Sequence, residues 1–185
     1  MNQLIHRTYR VTRYTLYKQT SFRPSDLLWS FVGSFCGISL VSIINLHMLT
    51  ISDIGLLIGS FGATAVLIYG VPESPLAQPR NVFGGHVISA IMGVTMYLLF
   101  NQIPWLASSL AVSFAILAMQ LTKTIHPPGG ATALIATIGS DKLKLLGYKF
   151  VIYPVAVGVI LLLIVALFIN VVSGYRKYPI KNFKK

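Results

Sequence analysis

Acidic residues are scarce: Asp26, Asp53, Glu73 and Asp141 are the only four in 185 residues. None stands at a helical spacing from another inside an apolar run, so paired-carboxylate acid–base chemistry has no candidates. The four histidines, His6, His47, His86 and His126, lack the His-Glu-x-x-His spacing of a helical zinc site. A single cysteine, Cys36, midway along an apolar run, excludes a disulfide framework and a cysteine metal site. No catalytic residue, metal or cofactor is expected, and the chain reads as a non-enzyme. Charge of either sign is thin, at 10% of residues against 55% hydrophobic, and mean hydropathy is +0.73. These values exclude an ordinary soluble domain and indicate a membrane protein.

What charge there is gathers at the ends. Arg7, Arg10, Arg13, Lys18 and Arg23 precede the first apolar run, and Arg176, Lys177, Lys181, Lys184 and Lys185 follow the last. The net charge of +11 is thus a positive-inside signal rather than a nucleic-acid footprint, since no aromatic stacking platform is interleaved with it. The expected partner is the lipid bilayer, with both termini cytoplasmic and an even number of crossings. The chain divides into a basic cytoplasmic arm (1–23), a transmembrane transport domain (24–174) and a basic cytoplasmic tail (175–185). The arm has no acid and one serine, Ser21, and leads straight into a full-length run. It reads as a retained segment rather than a transit peptide, with Tyr9, Tyr14 and Tyr17 at headgroup level.

About 20 apolar residues cross a hydrocarbon core of about 30 Å. Residues 27–46, 54–71, 82–100, 105–122 and 150–173 form five long runs, and 129–139 is apolar but short. The expected fold is all-α: a polytopic transmembrane helix bundle of five to six membrane segments, including a short half-helix after a His-Pro-Pro break. If 129–139 crosses there are six crossings, and the loop carrying Lys142, Lys144 and Lys149 lies outside. If it re-enters there are five. The two terminal clusters favour six. Residues 60–68 align without a gap to 128–136, sharing Gly-Ala-Thr-Ala at 62–65 and 130–133. Each copy falls in the second segment of its half, which suits a 3+3 inverted repeat with its site near the midplane.

The chemistry concentrates where the apolar text breaks. Pro127 and Pro128 end whatever precedes them and start a new helix. The amides of Gly129, Gly130 and Ala131 would then lack partners inside that helix, and its positive dipole end would offer an anion site. Thr132 adds a hydroxyl. His126 either binds an anion and carries a proton with it, or caps a helix end. Lys123, three residues upstream, is either a substrate contact on the same face or a cation snorkelling to the headgroups. In the first copy, Ser60, Phe61, Gly62, Ala63 and Thr64 either complete the site as a second half-helix or pack helices together. The pairs Gly33 with Gly37 and Gly55 with Gly59 have the spacing of close helix packing, which suits a homo-oligomer. Arg80, in the proline-rich stretch 71–86, either draws anions to the inner mouth or pairs with Glu73. His86 reads as an interfacial residue.

The blocks His126-Pro127-Pro128-Gly129-Gly130 followed by Ala-Thr-Ala-Leu at 131–134, and GSFGATAVLIYGVPESPLAQPRNVFGGHVISA at 59–90, closely resemble the HPP family of integral membrane proteins, named for the His-Pro-Pro motif. The resemblance covers about Arg23 to Ser173. It implies transport across a membrane, and similarity to cyanobacterial and chloroplast members implies nitrite as substrate. Its motif positions here are His126, Pro127 and Pro128, with Gly62, Ala63, Thr64, Pro79, Arg80 and Asn81 from the first block. The family is often described with four membrane helices, fewer than the segments counted above. No appended regulatory domain is expected, and a bacterial inner membrane is the simplest location.

Overall fold

The computed structural model describes residues 23–46 and 51–180. The readings placed on His6, His47, Arg7, Arg10, Arg13, Lys18, Tyr9, Tyr14, Tyr17, Ser21, Lys181, Lys184 and Lys185 lie outside the described residues, as do the surroundings of Gly55. Among those described the chain is helical, without a strand. Helix α1 is Pro24–Asn45, and α2 is Ile51–Ala65, running into a π-helical turn Val66–Gly70. A 3-10 turn Pro75–Ala77 leads to α3, Pro79–Phe100, and then α4, Pro104–Leu121. Helix α5 is Pro128–Ile138, α6 is Asp141–Lys144, and a π-helical turn Val151–Ala156 opens α7, Val157–Val172. Pro24, Pro79, Pro104 and Pro128 each occupy the first position of a helix, where a fixed φ suits the first turn and the absent N–H has no partner to lose.

Four of these stretches are long and apolar enough to cross a membrane: Pro24–Asn45, Pro79–Phe100, Pro104–Leu121 and Val151–Val172. The bundle of membrane helices expected from sequence is therefore present, though with four long spans among the described residues rather than five, and two shorter apolar helices, Gly59–Gly70 and the 11-residue α5, the latter roughly 16 Å at 1.5 Å per residue. The run expected at 54–71 is helical but ends in the π turn, and the last span opens with non-helical Tyr153 (φ −131°, ψ 127°) ahead of Pro154.

Helix α3 sits at the centre, packed on α4 and α5, while α1 packs on α2 and α7. Small residues permit the close approach. A Cβ placed on Gly93 would lie 2.5 Å from the Ala133 carbonyl oxygen, so the α3 and α5 backbones touch there. Gly33 and Gly37 both accept the ring of Tyr69, whose hydroxyl donates to the Leu162 carbonyl at 3.0 Å. That pair packs as its spacing predicts. Gly59, by contrast, has nothing within 4 Å inside this chain.

The C-terminal stretch folds back onto the loop before α3. The Arg176 guanidinium pairs with Asp26 at 3.4 Å and donates to the Tyr69 carbonyl at 3.0 Å. Tyr178 donates to the Ala77 carbonyl at 2.9 Å, and the Ile180 amide to the side-chain oxygen of Gln78 at 2.8 Å. Gln78 in turn donates to the carbonyls of Pro72 and Ser74, each at 2.9 Å. Residues 71–78 are thus held from both sides, and Leu76 with them.

Candidate functional site

Ser60 and Thr64 stand one helical turn apart on α2 and face the same way. His86 lies seven residues inside α3. Thr132 is one turn into α5, and His126 sits in the turn before that helix. The five side chains are buried to 1% exposure or less and form a continuous hydrogen-bonded network, closed into a ring where Thr64 Oγ1 lies 3.3 Å from the Ser60 carbonyl. His86 Nδ1 lies 2.7 Å from Thr132 Oγ1, and its Nε2 lies 2.7 Å from Thr64 Oγ1. The same Thr64 oxygen is 3.0 Å from His126 Nε2, and His126 Nδ1 is 2.8 Å from the Leu76 carbonyl oxygen. Ser60 Oγ is 2.7 Å from Thr132 Oγ1 and 3.0 Å from the Pro128 carbonyl. The two imidazole centroids are 4.9 Å apart, and Phe61 lies edge-on to His86 at 5.5 Å.

With one hydrogen on each imidazole, one arrangement of donors serves all four imidazole nitrogens. The Leu76 carbonyl only accepts, so His126 Nδ1 carries the hydrogen and Nε2 accepts from Thr64. The Thr64 oxygen is then free to accept from His86 Nε2. His86 Nδ1 accepts from Thr132, which accepts from Ser60. Every link runs in one sense, from Ser60 to Leu76.

Two glycines bring the backbones close enough for this ring. A Cβ on Gly85 would meet His126 Cβ at 2.5 Å, and one on Gly129 would meet the Gly85 carbonyl at 2.9 Å and Ser89 Oγ at 2.7 Å. Only glycine at both sites lets the His-Pro-Pro turn lie against α3.

Several sequence expectations change here. Residues 60–64 are interior to α2 rather than at a second helix N-terminus. Nothing in that copy interrupts the helix, so it contributes hydroxyls and no free amides. The amides of Gly129 and Gly130 are occupied as well, donating to the His126 and Pro127 carbonyls at 2.9 and 3.0 Å. Pro127 already has helical φ and ψ, so the first turn tightens and satisfies them. Ala63, Pro127 and Ala131 are exposed, Gly62 and Gly130 half-buried, and Pro128 buried with its carbonyl 3.0 Å from Ser60 Oγ. Lys123 is exposed with φ 57°, past the end of α4, so it shares no helical face with His126. Arg80 is exposed and donates to the Thr122 carbonyl at 3.1 Å, with Glu73 not its partner. His86 is not interfacial but central to the ring.

The two aligned copies meet in the ring. At their offset of 68 residues, Ser60 corresponds to Pro128 and Thr64 to Thr132. Ser60 bonds the Pro128 carbonyl, and the equivalent threonines hold the two nitrogens of His86. His86 and the Leu76 carbonyl were the parts that the motifs left out. The signal for His86 was its place directly after Gly84-Gly85, near the start of α3.

Residues 19–179 match a family described as "HPP, transmembrane region". Two proteins of Dictyostelium discoideum, both named only as transmembrane proteins, are similar: 43% and 41% identical over 158 residues. The match covers 84% of this chain and 50% and 55% of theirs, so the chain spans about half the length of the curated relatives it matches. No solved structure matches. With the motif, the match over most of its length and the helical membrane bundle in agreement, the chain belongs to the HPP family of transmembrane proteins.

Proposed function

We propose that this membrane protein is a small transporter for an inorganic anion, nitrite in particular, and not an enzyme. One observation carries the reading: five buried polar side chains from three helices and an irregular turn converge inside a bundle of membrane-length helices. Polar and ionisable groups are costly at that depth and concentrate where something polar passes, and interrupted backbone is tolerated there beside protein or a water-filled path. Nitrite enters through the family resemblance and through its chemistry. It is small and singly charged, and hydroxyls together with an imidazole can replace its hydration. The ring residues Ser60, Thr64, His86, His126 and Thr132 are then the substrate site, and next to His126 in the chain Pro127 lines an apolar groove of about 350 Å³ with Gly130, Val112, Met119 and Gln120. The reading places the protein in the inner (plasma) membrane with both termini cytoplasmic, as a homo-oligomer.

A second reading rests on the completeness of the ring. Each of its polar side chains is already satisfied, as expected of a clasp that holds α2, α3 and α5 in a non-transporting scaffold or sensor. Flux separates the two. Purified protein in liposomes should pass nitrite, and His126→Ala or Thr132→Val should impair passage while the helical circular dichroism persists. Wild-type liposomes that pass none of nitrite, nitrate, chloride or formate would leave only the clasp.

A further inference from the structure

The ring has a property that neither the family match nor the choice of anion supplies. Each hydroxyl has a second acceptor within reach, so the ring can be rewired to hold an extra hydrogen. Ser60 Oγ can give its hydrogen to the Pro128 carbonyl at 3.0 Å instead of to Thr132. Thr132 can then turn its own toward Ser60 at 2.7 Å. That exposes a Thr132 lone pair to a hydrogen on His86 Nδ1. Both nitrogens of His86 are now donors, and Thr64 still donates to His126 Nε2. The ring has gained one proton without a broken contact.

From there, one concerted shift moves the charge. His86 Nε2 passes its hydrogen to Thr64 Oγ1 as the Thr64 hydrogen passes to His126 Nε2, over separations of 2.7 and 3.0 Å. The His86 Nε2–H and Thr64 O–H bonds break as a new O–H forms on Thr64 and a new N–H forms on His126 Nε2, so His126 becomes the imidazolium while His86 returns to neutral. With ring centroids 4.9 Å apart, two charges would repel strongly in such a site, which limits the pair to one proton.

We propose that His86, Thr64 and His126 form a one-proton relay that couples substrate movement to the movement of a proton. As a coupling device it rests on the transport reading, while the relay itself does not. Ser60 is the entry, where the chain of donors begins. At the other end the Leu76 carbonyl cannot take a proton covalently, so release from His126 Nδ1 requires residues 71–78 to move away. The charged groups on the surrounding elements do not compensate the pair. Asp53 on α2 accepts from Ser140, and Arg80 on α3 donates to Thr122. Glu73 in the loop and Lys123 before His126 are exposed. An anion arriving beside the ring would supply the missing negative charge, so that anion and proton stabilise each other.

The test has two arms. In nanodiscs without substrate, nitrogen-15 NMR of the histidines, assigned by single substitutions, should show the His86 and His126 signals moving together on acidification, with one proton taken up by the pair. Thr64→Val should make the two rings respond separately, and Thr64→Ser should restore the joint response. Independent titration of the two rings in the wild type, or no proton uptake by either while the fold persists, overturns the relay. In proteoliposomes with an entrapped pH dye, nitrite entry should acidify the lumen with one proton per anion, and His126→Gln should abolish that acidification. Electrogenic nitrite entry without acidification overturns the coupling and leaves transport standing. A joint response by NMR without nitrite flux leaves the relay standing and removes transport.

Discussion

The two aligned segments, 60–68 and 128–136, share four residues in register yet use them differently. The second follows a proline pair, begins a short helix and lies against α3 through glycine. The first lies inside a continuous helix, and where α5 has Gly129 it has Phe61, which fills space against Gly158 and the edge of His86. What they have in common is the threonine. Thr64 and Thr132 reach opposite nitrogens of one imidazole, so a short shared motif sets a hydroxyl on each side of His86 while its flanks set the backbone. The comparison separates two roles for a glycine in such a motif: close helix contact at Gly129, and open space at Gly62 and Gly130.

The sharpest break in that comparison is Gly129→Ala against Gly62→Ala. At Gly129 the new methyl meets main-chain oxygen of Gly85, which cannot yield as a flexible side chain would. A loss at the upper end of about 1–3 kcal/mol is expected, read as a lower unfolding midpoint in detergent. Gly62 has nothing within 4 Å and Gly130 only Val112 at 4.0 Å, so alanine at either should gain about 0.5–1 kcal/mol from helix propensity. Retained nitrite flux in Gly130→Ala would show that no anion needs to approach that amide. Lost flux in a stable Gly130→Ala protein would restore the helix N-terminus as the binding site.

Next in size are the threonines. Thr64→Val removes the partner of both His126 Nε2 and His86 Nε2, whereas Thr132→Val removes the partner of His86 Nδ1 alone and leaves Ser60 the Pro128 carbonyl. A buried polar group without a partner costs about 1–3 kcal/mol, so thermal unfolding should rank Thr64→Val below Thr132→Val, with Ser60→Ala mildest. Equal midpoints for the two threonine variants would mean that the copies contribute symmetrically to stability.

The membrane bundle, its proline-started helices and the short α5 were legible because hydropathy and proline act locally. His126 and the pairing of 60–68 with 128–136 were legible from motif and repeat. The central place of His86 was not, because a histidine seven residues into an apolar helix looks the same from sequence whether it faces headgroups or a neighbouring threonine. Which hydroxyl meets which nitrogen depends on the helix contacts at Gly85, Gly93 and Gly129. The occupied amides of Gly129 and Gly130 depended on Pro127 adopting helical angles, against the usual bias of a residue that precedes proline.

A smaller effect probes the loop that ends the ring. Tyr178→Phe deletes the bond to the Ala77 carbonyl, one residue from Leu76, and should cost about 1 kcal/mol. If the 71–78 loop controls proton release at His126, this variant should also speed lumen acidification at unchanged proton-to-nitrite ratio. An altered ratio would instead mean that the loop sets how many protons move.

The smallest effect expected is at Lys123. Its left-handed φ of 57° is costly for a side chain with a Cβ, by about 1–2 kcal/mol, and free for glycine. Lys123→Gly should therefore hold or slightly raise the unfolding midpoint. Its ammonium is exposed and apart from the ring, so nitrite flux at saturating concentration should be unchanged, with at most a modest rise in the half-saturating concentration from weaker attraction of anions to that face. The outcome bears on why a cation stands three residues before the His-Pro-Pro turn. A strained lysine retained for a salt-sensitive effect on anion arrival would lose that sensitivity in Lys123→Gly. One whose replacement also stops flux would place the ammonium in the path of the substrate.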